Sequence, residues 1–324
     1  MKGIIQSSFG NPGEVLSLSE VESPVVDDDG VLVRVRAASI HIGDVYGVRG
    51  FPKVMRPIFK KLIAESGVVG ADIAGVVEAV GANVTGLAVG DEVFGSCKGA
   101  FAEYASTTVE KLTLKPPGLT FEQASAIGVS AFTALQGLTE HGNLQEGQKV
   151  LVTGASGGVG TFAVQIAKAF GAEVTGVCST RNLEMVRSIG ADHVVDYTQE
   201  DFTKSEPRYD LIFDNVGAYP LKDMRSVLTP SGLLLANGSG APSGWFGGLG
   251  HPIKGAVSSM FSKQQGRPFL SLENEKDLET LRDLAETGKI VPVIDQTFSL
   301  DEGVQAVVSV GEGHNQGTTV ITMA

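Results

Sequence analysis

The stretch Val150–Gly160, VLVTGASGGVG, constrains the fold of this chain more than any other. It reads as a buried strand, a glycine-rich turn and the first turn of a helix. Gly154, Gly157 and Gly160 are spaced three apart, Gly158 adds room for the backbone, and Ser156 and Val159 complete the turn. Main-chain N–H groups in such a turn can approach a pyrophosphate, and the following helix N-terminus adds partial positive charge. A glycine turn alone also serves as a plain loop. Here the helix-like run Thr161–Phe170 and the strand-like Glu173–Cys178 close a strand–helix–strand unit of the length expected for dinucleotide binding.

Strand-like segments recur from that point: Val150–Thr153, Glu173–Cys178, Asp192–Asp196, Leu211–Asp214 and Gly232–Ala236. Helical candidates, notably Thr161–Phe170 and Asn182–Ile189, separate several of them. This alternation predicts an α/β fold with a doubly wound parallel sheet. The first 110 or so residues read differently. Gly30–Ala37 alternates apolar residues with Arg34 and Arg36, Val68–Val80 is a long run of small and apolar residues, and Gly90–Gly95 turns into another short strand. Together these predict a β-rich, barrel-like domain. Lys115–Gly118, KPPG, marks a boundary, and Gln123–Thr139 then reads as one buried helix. After the acidic helix candidate Asn274–Gly288, the strands Val291–Phe298 and Gly317–Met323 are expected to return to the first domain. The expected division is residues 1–118 with 289–324, and residues 119–288.

A chain of 324 residues leaves room for about two domains. Its 42% apolar and 19% charged residues describe an ordinary globular protein. Twenty-five Lys and Arg against 37 Asp and Glu give a net charge of −12, which argues against general binding to nucleic acid or acidic membranes. Cys97 and Cys178 are too few for a disulfide framework or a cysteine-based zinc site. The start MKGIIQSSFG lacks the apolar core of a signal peptide. Residues 226–253 carry no Asp, Glu, Lys or Arg, yet their Gly, Ser, Pro and Asn content rules out a spanning helix. A cytoplasmic protein without a membrane span is expected.

Three blocks in order, Gly70–Gly95 (GADIAGVVEAVGANVTGLAVGDEVFG), Val150–Gly171 and Gly190–Tyr197 (GADHVVDY), together with the tail Gly313–Met323, resemble the medium-chain dehydrogenase/reductase superfamily. The similarity is greatest to its zinc-independent quinone oxidoreductase, or zeta-crystallin-like, branch. That resemblance implies a GroES-like catalytic domain, a Rossmann cofactor domain and a homodimer. The three catalytic zinc-ligand positions of the zinc alcohol dehydrogenases match His41, Ala71 and Ile127 here. Only one of these can bind metal, whereas catalytic zinc takes three protein ligands. The structural-zinc lobe needs four cysteines after Gly95, and only Cys97 is present. No metal is therefore expected. Without a Lewis acid, hydride delivery to an already electrophilic acceptor is easier than oxidation of an unactivated alcohol. The substrates implied are quinones and activated α,β-unsaturated carbonyls.

NAD-preferring sites place an Asp or Glu after the second strand, where it binds the ribose 2′-OH. That region here reads Gly176-Val177-Cys178-Ser179-Thr180-Arg181. Ser179 and Thr180 can donate hydrogen bonds, and the Arg181 guanidinium suits phosphate oxygens, so NADPH is the expected cofactor. The resemblance adds Tyr197 beside the 2′-phosphate, and Thr133, Asn215, Val216 and Gly217 towards the nicotinamide half, with Asn237 and Gly238 as further candidates. Each also has a plainer reading. Arg181 as a solvated charge, Thr133 as helix packing and Asn215 as support for a turn remain open.

The segment Ala38–Gly50, ASIHIGDVYGVRG, matches the superfamily's active-site loop. Asp44 and Tyr46 fall where quinone-reductase relatives show an Asp and a Tyr, while His41 replaces the more usual Asn. Tyr46 is read as a proton or hydrogen-bond donor to the carbonyl oxygen, or as a wall aromatic. His41 is read as a proton relay or a structural histidine, and Asp44 as a site acid or a helix cap. Related enoyl-thioester reductases carry a Tyr donor a few residues later, where this chain has Phe51. The loop Ser239–Gly250, with Trp245 and Phe246, reads as a substrate lid or as an ordinary surface loop. The function expected is an NADPH-dependent reductase of quinones or activated enones. The alternatives are an enoyl-thioester or alkenal reductase, and a non-catalytic NADPH-binding regulatory protein.

Overall fold

A short antiparallel pair opens the chain: β1 (Lys2–Gln6) and β2 (Leu16–Glu20), linked through α1 (Pro12–Val15). β3 (Gly30–Ile40) follows and organises everything around it. Its first half alternates as expected, with Val31, Val33 and Val35 buried and Arg34 and Arg36 exposed. From Ala37 to Ile40 every residue is buried. The change reflects a change of neighbours along one edge, β6 (Tyr104–Thr108) pairing with Gly30–Arg34 and a C-terminal strand pairing with Ala37–Ile40. Between β3 and β6 the chain forms α2 (Ile42–Arg49), β4 (Asp72–Val80) and β5 (Glu92–Ser96), and β7 (Leu112–Leu114) comes after.

The helix expected over Gln123–Thr139 is broken. α3 (Phe121–Ser125) ends, and α4 (Val129–Gln136) starts afresh after Gly128. The cause lies on β4. The Asp72 carboxylate accepts the Val129 N–H at 3.2 Å with both oxygens, capping the second helix. A Cβ on Gly128 would sit 2.1 Å from Asp72 Cγ, so this approach requires glycine.

A parallel sheet follows. Its strands and helices are β8 (Lys149–Thr153), α5 (Gly158–Ala169), β9 (Glu173–Cys178), α6 (Leu183–Ser188), β10 (His193–Asp196), β11 (Tyr209–Asp214), α7 (Leu221–Ser226), β12 (Leu228–Ala236) and β13 (Gln265–Pro268). The strand order is β10-β9-β8-β11-β12-β13. Val150, Leu151 and Val152 of β8 are fully buried, as are Ile212 and Phe213 of β11, because both faces of a doubly wound sheet are covered. The order reverses between β8 and β11, the switch point at which open α/β sheets bind ligands. The sixth strand, β13, has no counterpart in the sequence reading.

The chain then forms α8 (Glu275–Glu286), β14 (Ile294–Ser299), α9 (Gly303–Glu312) and β15 (Thr318–Thr322). β15 lies antiparallel to β3 and parallel to β14, giving the first sheet the order β14-β15-β3-β4-β5-β7. Its core gathers Ile4, Val33, Val45, Phe101, Val307 and Ile321.

The computed structural model describes residues 1–57, 60, 63, 67–204, 206, 208–237 and 264–323. They form two compact units: Met1–Phe132 with Glu273–Gly288 and Pro292–Ala324, and Thr133–Leu272 with Lys289–Val291. Residues 119–132 and α8, which the sequence places with the cofactor domain, thus pack with the first unit; α8 lies against β7. Gly238 and the loop Ser239–Gly250, with Trp245 and Phe246, lie outside the described residues. No helix among the described residues is long and apolar enough to cross a membrane.

Candidate functional site

The glycine turn follows β8 at the switch point. Gly154 has φ +60°, a left-handed conformation open to glycine at little cost. Gly157 is the N-cap of α5, and among the described residues a Cβ there would meet only Gly154 O, at 3.5 Å. Gly160 differs: its Cβ would lie 2.0 Å from Gly154 O and 2.8 Å from Ala155 Cα. Its missing side chain lets α5 pack directly on the turn, while the N–H groups of Gly158, Val159 and Gly160 open the helix.

Two loops bracket this turn. After β9, Ser179 precedes a short helical turn Thr180–Asn182 in which Arg181 is exposed. Asn182, which sequence reasoning passed over, is buried and donates its amide to Ser156 Oγ at 2.8 Å and to Ser179 Oγ at 3.3 Å. It ties the glycine turn to the loop of the second strand. The Thr180 hydroxyl donates to Asp196 Oδ2 at 2.5 Å and lies 3.0 Å from Thr198 Oγ1. Thr180 is thus engaged with the end of β10, and its hydroxyl bond holds the Asp196 carboxyl below the usual range. Tyr197, next in sequence, is 53% exposed.

On the other side of the switch point, Asp214 ends β11 directly opposite Thr153 of β8. Asp214 is fully buried. Its Oδ1 accepts the Thr153 hydroxyl at 2.6 Å and the backbone N–H groups of Val216 and Gly217 at 3.2 and 3.0 Å. The Thr153 hydroxyl accepts the Asn215 N–H at 3.0 Å, and the Thr153 carbonyl accepts Asn215 Nδ2 at 3.1 Å. Asn237, after β12, donates Nδ2 to Asn215 Oδ1 at 2.8 Å. Asn215, Val216, Gly217 and Asn237 therefore share one network. Val216 is 41% exposed, whereas Thr133 on α4 is buried.

In the first unit, His41 is the N-cap of α2 and Asp44 is its third residue. Asp44 Oδ2 accepts the His41 N–H at 2.9 Å and lies 3.5 Å from His41 Nε2. The carboxylate caps the helix and faces the imidazole at once. Burial pushes the Asp44 carboxyl up, against the opposing pull of His41. Tyr46 is half-buried on the same helix.

Asp72 adds a second buried acid that sequence reasoning missed, although it adjoins Ala71 in the block Gly70–Gly95. Besides the Val129 N–H it accepts the Ser39 hydroxyl at 3.2 Å. Burial raises its carboxyl to about 7, with His41 pulling down and Asp44 and Glu273 pushing up. Glu273 is itself held by the Ser96 hydroxyl. Between pH 3.8, the ordinary value, and about 7, native Asp72 keeps a proton that the unfolded chain releases. Its contribution to stability therefore falls as pH rises through that window. Asp72→Asn, neutral throughout, is expected to flatten this part of a denaturation-midpoint profile; an unchanged slope would contradict the assignment.

The residues at the zinc-ligand positions do not fit a metal. His41 is a donor, but Ala71 and Ile127 offer none, and no group of three or more His, Cys, Asp or Glu among the described residues could hold an ion. The switch-point site does suit a dinucleotide, with a helix N-terminus, an open position at Gly157 and the exposed Arg181 and Tyr197.

A GroES-like β unit joined to a Rossmann-type parallel sheet is the architecture of a nucleotide-dependent dehydrogenase or reductase. Comparison with known proteins agrees. Residues 27–117 match the alcohol dehydrogenase GroES-like domain and residues 189–321 the zinc-binding dehydrogenase domain. The chain is 33% identical to the mouse mitochondrial NAD(P)H oxidoreductase RTN4IP1, covering 90% of this chain and 81% of that protein. It is 30% identical to the chloroplastic NADPH-dependent alkenal/one oxidoreductase of Arabidopsis thaliana, covering 99% and 79%. The solved quinone oxidoreductase of Coxiella burnetii superposes with a TM-score of 0.86 at 27% identity over 100% of this chain and 99% of that one. The chain belongs to the medium-chain dehydrogenase/reductase superfamily, among its quinone and enone oxidoreductases. It is an oxidoreductase.

Proposed function

We propose that this enzyme reduces small quinones or activated α,β-unsaturated carbonyls with NADPH and without a catalytic metal. The observation that carries the cofactor choice is the loop Ser179–Arg181, which offers an exposed guanidinium and no acid to the ribose. Asp196, at the end of β10, is occupied by the hydroxyls of Thr180 and Thr198 and by the Thr198 N–H. The names of the relatives, an alkenal/one reductase and quinone oxidoreductases, support the acceptor class.

When bound, the nicotinamide supplies a hydride. The residues of this chain do the rest. Backbone N–H groups of the glycine turn would hold the pyrophosphate, and Arg181 with Ser179 and Tyr197 would hold the 2′-phosphate. The Tyr46 hydroxyl hydrogen-bonds the acceptor oxygen and stabilises the charge that arrives with the hydride. His41, oriented by Asp44, serves that oxygen as a proton source. Both cysteines are buried and free, which suits a reducing compartment, and we place the enzyme in the cytoplasm as a homodimer.

The test is NADPH oxidation by purified protein with 9,10-phenanthrenequinone and a 2-alkenal, with NADH controls and a chelator present. Chelator-resistant turnover preferring NADPH is expected. Saturable NADPH binding without turnover on any acceptor would overturn the enzymatic reading in favour of a binding role. Tyr46→Phe is expected to lower kcat about tenfold or more, the scale of one lost hydrogen bond to a developing charge. Unchanged turnover would remove Tyr46 from the chemistry.

A further inference from the structure

We infer that Thr153 and Asp214 are positioning residues, which fix the amides of Asn215 and Asn237 in one orientation for the carboxamide end of the cofactor. The inference rests on the NADPH reading above and adds two residues that neither motif nor resemblance singles out. Its basis is a chain of hydrogen bonds with only one consistent direction.

The chain starts at the buried Asp214, whose Oδ1 takes three donors, the Thr153 hydroxyl and the N–H groups of Val216 and Gly217. Thr153 has one hydroxyl proton. Spending it on Asp214 leaves its oxygen as an acceptor, which the Asn215 N–H fills. The Thr153 carbonyl can only accept, so Asn215 must face it with Nδ2. That choice turns Asn215 Oδ1 towards Asn237, which must therefore answer with its own Nδ2. The backbone N–H of Asn237 is in turn held by the Asp214 carbonyl at 3.0 Å.

Every member of the chain sits at the carboxyl end of a strand. Asp214 pairs with Thr153 on one side and with Ala236 on the other, so the three central strands β8, β11 and β12 are cross-tied beside the switch point. The direction of the chain leaves the Asn237 carbonyl oxygen and its second amide hydrogen without a partner among the described residues. One acceptor beside one donor complements a primary carboxamide, which offers the same pair reversed. Asp214 and Thr153 never touch the ligand in this scheme; they set which atoms Asn237 presents.

Thr153→Val keeps the shape of the side chain and removes its hydroxyl, and Thr153→Ser restores the hydroxyl. Both variants and the parent protein would be titrated with NADPH and, separately, with 2′,5′-ADP, which carries the phosphates but no nicotinamide. Thr153→Val is expected to weaken NADPH about tenfold, the scale of one lost hydrogen bond, with 2′,5′-ADP unchanged within about twofold. Thr153→Ser should recover most of the loss. Thermal melting of each variant verifies that it folds. A uniform loss on both ligands, or no loss on NADPH, overturns the inference while leaving the NADPH reading intact. A parent protein that binds neither ligand overturns both.

Discussion

Gly160→Ala is expected to destabilise the second unit by about 3 kcal/mol, the upper end of the usual cost of overpacking. The added Cβ would have to occupy a point 2.0 Å from Gly154 O, and both that carbonyl and Ala155 Cα belong to the backbone of the turn. No side chain can rotate away to relieve the clash. Either α5 lifts off the turn or the turn deforms, and the N–H groups that open the helix then diverge. Loss of NADPH binding should accompany a fall in the melting temperature of roughly 6–12 °C, at about 2–4 °C per kcal/mol for a unit of this size. Gly157→Ala separates the two effects. Among the described residues a Cβ there meets only an ordinary van der Waals contact, so the melting temperature should hold, while NADPH binding should weaken if the pyrophosphate sits against this turn as proposed. A Gly160→Ala protein that melted and bound NADPH like the parent would refute close packing at this turn.

The contrast between those two glycines also shows what a sequence carries and what it hides. The turn was legible because a strand-to-helix turn packed this closely demands glycine at spacings that a single chain segment displays. The buried strands were legible because both faces of the parallel sheet are covered, which leaves runs such as Val150–Val152 with no polar residue. The break between α3 and α4 was not. It depends on a carboxylate 57 positions away, and the stretch it interrupts is apolar at helical spacing on both sides. β13 escaped for the opposite reason: Gln-Gly-Arg-Pro has no strand signature and pairs only because β12 leaves an edge. Helix Glu275–Glu286 could be read as a helix, but the sequence placed it with the cofactor domain, because nothing in its apolar stripe shows that it packs on β7 of the first unit. Thr153 and Asp214 looked like polar strand ends. Their partnership exists only once β8 and β11 lie side by side. The capping reading of Asp44 was legible, and the same oxygen that accepts the His41 N–H also faces the His41 imidazole.

Arg181→Glu should separate the two nicotinamide cofactors. The side chain is exposed in the short turn after β9, and thermal melting of the variant checks that the turn stays folded. Its effect on NADPH has two parts. The proposed charge-assisted bond to the 2′-phosphate would be lost, and a carboxylate would be set against the dianion in its place. Bonds to charged groups contribute about 1.5–3 kcal/mol each, so NADPH should bind roughly 100-fold more weakly. NADH has a hydroxyl where NADPH has the phosphate, and a carboxylate can accept its hydrogen, as acidic residues do at NAD sites. NADH binding should therefore hold or improve, and the preference between the cofactors should invert. The measurement is a pair of titrations at one ionic strength, repeated at higher salt. Screening should shrink the NADPH penalty in the variant and leave NADH unmoved. Equal losses for both cofactors would mean that Arg181 supports the loop rather than reading the phosphate, and the choice of NADPH would then lose its main support.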